Sequence, residues 1–69
     1  MNLDEARQRV SAIQESAGDY EAAHGLEDQL HSDFIEALAS GRVSSLSDAE
    51  QIARVIHETE QLDFPRYTA

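Results

Sequence analysis

Between Asp19 and Ala39 the chain places six carboxylates and no lysine or arginine, yet it repeats its apolar residues at helical spacing. Tyr20, Ala23, Leu26, Leu30, Phe34, Ala37 and Leu38 fall on one side of a helix of about 3.6 residues per turn, and Glu21, Asp28, Gln29, Ser32 and Glu36 fall on the other. Such a segment folds only by laying its apolar side on neighbours and leaving a negative face in water. Asp19 is a good N-cap, with Glu21 favoured in the first turn by the helix dipole, and Ser40-Gly41 ends the element, so the reading is a helix over 19–39. Gly25 interrupts its polar side, which points to a local weakness or to the close approach of another backbone.

The neighbours are predicted to be helices as well. Leu3, Ala6, Val10, Ile13 and Ala17 alternate steps of three and four and make one narrow seam over 3–17. Asn2 and Glu5 suit a capping box at its start, and Gly18 suits a left-handed end. Ser47-Asp48-Ala49-Glu50 is a second capping box ahead of Ile52, Ala53, Val55 and Ile56, giving a helix over 48–60 with Glu50, Arg54 and Glu58 in one outer row. The intervening Arg42–Leu46 stretch reads as a loop. Short connections make antiparallel neighbours. The expected fold is therefore a small all-α antiparallel three-helix bundle, one domain over 1–69, closed by a short aromatic turn at 63–67.

The ending, Leu62-Asp63-Phe64-Pro65-Arg66-Tyr67, concentrates large apolar groups where chains usually fray. Either Phe64 and Tyr67 fold back to close the bundle, or they form a docking strip for a partner. With 69 residues and no cysteine, neither disulfides nor thiolate metal sites contribute, and stability must come from packing. A hydrophobic content of 41% is enough for a folded domain with an acidic surface.

Charge excludes whole classes of partner. A formal net charge of −9 opposes binding to nucleic-acid phosphates, which depends on Lys and Arg, and opposes anionic membrane surfaces for the same reason. No apolar run approaches the roughly 20 residues that span a bilayer, and the Met1–Glu5 start lacks a secretory signal pattern, so a cytoplasmic protein is expected. No nucleophilic cysteine, Gly-rich phosphate loop or G-x-S-x-G elbow occurs, and a bundle of this size has little room for a substrate pocket. The chain is expected not to be an enzyme and to carry no cofactor.

One cluster has metal-ligating residue types. His24, Glu27 and His31 lie together at the border of the apolar face, with Asp28 turned further toward water. Imidazole and carboxylate suit zinc or iron, but three ligands from one helix are geometrically awkward, and a fourth would have to come from elsewhere, such as His57. The favoured reading is a polar network in which Glu27 is held by the histidines or by groups of a neighbouring helix, with a metal site through His24, Glu27 and His31 as the alternative.

The centre Ala23-His24-Gly25-Leu26-Glu27-Asp28-Gln29-Leu30 and the ending Asp63-Phe64-Pro65-Arg66-Tyr67 resemble a group of small acidic helical proteins encoded by actinobacteriophages and their actinobacterial hosts. Pro65 and Tyr67 depart from the Ala and Trp expected in that ending. The resemblance implies no activity; it implies a phage or prophage context, in which small acidic proteins often act by binding a host protein. The leading expectation is an acidic protein–protein interaction module that meets a basic surface through Glu21, Asp28, Glu36, Phe64 and Tyr67. Alternatives are the metal-binding bundle and a structural homo-oligomer, dimeric in its simplest form, in which the Leu3–Ala17 seam is completed by a second copy. A DNA mimic is less favoured, because the acids form no extended double row.

Overall fold

A computed structural model describes residues 1–64 of the chain. It contains α1 (Leu3–Glu15), α2 (Tyr20–Ala39) and α3 (Leu46–His57), followed by a single 3₁₀ turn, Glu58–Gln61. The bundle is all-α, as expected. Its long dimension of 34 Å is set by α2, whose twenty residues rise about 30 Å.

Each helix starts where a side-chain oxygen takes up an orphan backbone donor. Asn2 Oδ1 accepts the Glu5 N–H at 2.8 Å, and Asp19 Oδ1 accepts the Ala22 N–H at 3.3 Å. At α3 the expected cap is displaced by two residues. Ser45, not Ser47, is the N-cap: its Oγ accepts the Asp48 N–H at 3.1 Å, and its carbonyl takes the Ala49 N–H at 3.0 Å. Starting at Ser45 adds Leu46 and Ser47 to the helix while keeping an acid, Asp48, in the first turn.

The ends differ more from expectation. Helix α1 stops at Glu15, two residues early, and Gly18 is not left-handed, because the Ser16–Asp19 turn closes through an Asp19 N–H to Ser16 carbonyl bond of 2.8 Å. Helix α2 ends in a Schellman motif: Gly41 has φ +71°, its N–H reaches the Leu38 carbonyl at 3.2 Å, and the Arg42 N–H reaches the Ala37 carbonyl at 2.8 Å. Helix α3 gives way at His57 to the 3₁₀ turn, which was expected to be helical to 60.

Long-range contacts give the topology. Arg9 meets Asp33, and the Met1 ammonium donates to the Arg42 carbonyl at 3.0 Å, so α1 and α2 run antiparallel. Leu3 shares a surface depression with Asp48 and Ile52, which places the starts of α1 and α3 side by side. Helix α1 lies against both other helices, while α2 and α3 touch one another less. Ala6, Ile13, Ala23, Leu30, Ile52, Ile56 and Phe64 make the core, with Leu3, Val10, Tyr20 and Phe34 partly buried around it. Within the chain Ala6 and Ile13 of the α1 seam are buried, and Leu3, Val10 and Ala17 are partly buried against the same core.

The glycines allow a signed test. A Cβ at Gly25 would meet nothing within 4 Å, so of the two expectations no backbone approaches it closely and the local weakness is the one that remains. Gly25→Ala is expected to stabilise the protein by about 0.5–1 kcal/mol, because alanine is the better helix former. Gly41→Ala is expected to destabilise it by about 1 kcal/mol, because its left-handed φ penalises a Cβ. Thermal melts of the two variants should therefore move in opposite directions; a shift of the same sign would refute the assigned Schellman end.

Candidate functional site

Seven-residue steps along α2 drift by only about 20° and advance about 10 Å, so they sort its residues into lengthwise columns. Ala23, Leu30 and Ala37 form the buried column. Tyr20, Glu27 and Phe34 border it, and of these Glu27 is buried to 5% exposure. The next column is His24, His31 and Leu38, and the outermost is Glu21, Asp28 and Ile35.

These columns pull the presumptive metal ligands apart. Glu27 turns into the core, where a carboxylate must be satisfied and where it does have an interaction partner. His24 is half-buried and His31 exposed. The Nε2 of His24 lies 3.5 Å from Asp28 Oδ1, one turn on, and its Nδ1 is buried without a hydrogen-bond partner among the described residues. Among the described residues no group of three His, Cys, Asp or Glu side chains is arranged to hold a metal ion. His24 is thus paired with Asp28, one turn further along the helix.

The acidic face is partly neutralised along its α1 edge. Arg9 reaches Asp33 at 2.8 Å and Glu5 at 3.7 Å, and Arg42 reaches Glu36 at 3.3 Å. These groups, with the Met1 end, line a cleft of about 280 Å³ whose charges are already paired with one another. Glu36 is exposed but engaged, Asp28 is exposed beside His24, and Glu21 is exposed without an ion pair among the described residues.

Asp33 titrates abnormally. The Gln29 amide, which donates to it at 2.8 Å, and the Arg9 guanidinium hold its carboxyl below the ordinary value of 3.8. Its ionised form is favoured by folding, so its contribution is complete above the unfolded-state value and disappears as pH falls through the lower folded-state value. Wild type should melt above Asp33→Asn at neutral pH, with the gap closing below about pH 4. A gap independent of pH would show that Asp33 acts through its shape alone.

The apolar side of α2 is narrower than its sequence suggests. Leu38, expected in the core, is 42% exposed, and Leu26 is exposed to a similar degree. Helix α2 meets α1 through the Asp33 edge and touches α3 little, so residues at its margins are left uncovered. Ile35, outside the expected apolar set, is 64% exposed, and Leu46, the first residue of α3, is 82% exposed. Phe64 is 5% exposed and belongs to the core, so it is not a docking residue; the folding-back alternative describes it. Tyr67 lies outside the described residues.

Among the described residues no helix is long and apolar enough to cross a membrane. No family model matches the chain, and no curated protein or solved structure is significantly similar to it.

Proposed function

We infer that this protein is a non-enzymatic, acidic interaction module that docks on a protein partner with a basic surface. The observation that supports it is the outer face of α2, where the exposed carboxylates Glu21 and Asp28 lead to the water-exposed Ile35 and Leu38 in a chain of net charge −9. Charge of one sign steers a complementary partner and speeds its encounter, and apolar contact then slows its departure. The resemblance to actinobacteriophage proteins supports a host protein as that partner.

The test is capture from an actinobacterial lysate on the immobilised full-length chain, washed at low and at high salt, with identification of what is retained. The expected result is a protein with a basic surface that is held at low salt and released at high salt. Retention equal at both salt concentrations would overturn the reading, because steering between exposed charges is screened by salt.

A further inference from the structure

The outer columns of α2 change character along the helix. Glu21 and Asp28 precede Ile35 in one column, and His24 and His31 precede Leu38 in the next, so the N-terminal part of the face is polar and the last two turns are apolar. Ile35 and Leu38 are three residues apart and therefore neighbours on the surface. They lie on the flank away from the Asp33 edge that meets α1, on the side where α2 and α3 make little contact.

The charge pattern selects what covers this flank. A second copy brings another nine negative charges, and nucleic acid or an anionic bilayer is repelled in the same way. Complementarity requires apolar groups over Ile35 and Leu38 and cations over Asp28 and Glu21, about 10 and 21 Å further along the helix axis. Resting on the interaction function inferred above, we propose that the Ile35–Leu38 flank is the docking site for an amphipathic helix of the partner, with leucine-like anchors at one end and Lys or Arg at seven- and fourteen-residue steps from them. Two helices laid alongside each other keep such a register, since both rise by the same amount per residue.

The experiment uses two synthetic peptides of about 18 residues and identical composition, titrated into the ¹⁵N-labelled full-length protein. In one, a Leu pair is followed by Lys and Arg at seven- and fourteen-residue steps; in the other the same residues are scrambled. The expected result is at least about tenfold tighter binding of the first, amide shifts centred on Asp28, His31, Ile35 and Leu38, and loss of about tenfold affinity in an Ile35→Ser/Leu38→Ser variant that melts like wild type. Equal binding of the two peptides, or shifts centred elsewhere, overturns the site.

Two other occupants are read in the same samples. A wild type that sediments as a dimer while the serine variant is monomeric assigns the flank to a second copy, and amide shifts at Ile35 and Leu38 caused by Tyr67→Ala alone assign it to the chain's own ending; either overturns the proposal. If neither peptide binds while salt-sensitive capture from lysate persists, this docking site falls and the interaction function stands. If the capture is insensitive to salt, the interaction function falls with it.

Discussion

Replacing Leu30 by alanine should remove most of the protein's stability. Leu30 is fully buried at the centre of α2 and belongs to the core cluster with Ile13, Ile52 and Ile56, so its truncation leaves a cavity there. Buried leucine-to-alanine changes cost about 2–5 kcal/mol, whereas a domain of this length has roughly 3–10 kcal/mol in total. The melting temperature should fall by about 10–25 °C, followed by circular dichroism, with part of the population already unfolded at 37 °C. Ile35→Ala, five residues away, should change stability by no more than about 0.5 kcal/mol, because Ile35 is mostly in water already. Equal losses from the two substitutions would mean that the α2 faces are misassigned.

Phe64→Ala is the second large effect. The residue sits beyond the last regular turn, where truncation is ordinarily harmless, but its ring is buried against the same core as Ile13, Leu30, Ile52 and Ile56. Its loss should cost about 3 kcal/mol or more, detected as a fall in the urea midpoint with an unchanged slope. If Phe64 instead served a partner, the midpoint would hold and only binding would weaken. The two outcomes separate a structural ending from a docking one.

Periodicity and caps made three helices and their order legible, because local hydrogen bonding at Asn2 and Asp19 depends only on neighbouring residues. The choice of Ser45 over Ser47 was not legible: both precede an acid by three residues, and the earlier start extends the helix by two residues. Burial at the margins of α2 was not legible either. Leu38 was expected on the apolar side and Glu27 at its border, yet the leucine is 42% exposed and the glutamate 5%, so tertiary packing and not hydrophobicity orders them. Ile35 carried a signal that could have been used, since an isoleucine between Phe34 and Glu36 falls off the seven-residue column of Ala23, Leu30 and Ala37. The spacing of His24, Glu27 and His31 puts them on adjacent turns without aiming them at a common point, and among the described residues no such group is arranged to hold a metal ion.

If an acidic face brings a basic partner to this protein, as we propose, the rate of association with the partner retained from lysate depends steeply on salt. Stopped-flow measurement from about 10 mM to about 500 mM salt shortens the screening length from about 30 Å to less than 5 Å. The expected result is an association rate that falls at least tenfold over that range, with a much smaller change in dissociation. An association rate that stays level as salt rises would contradict it.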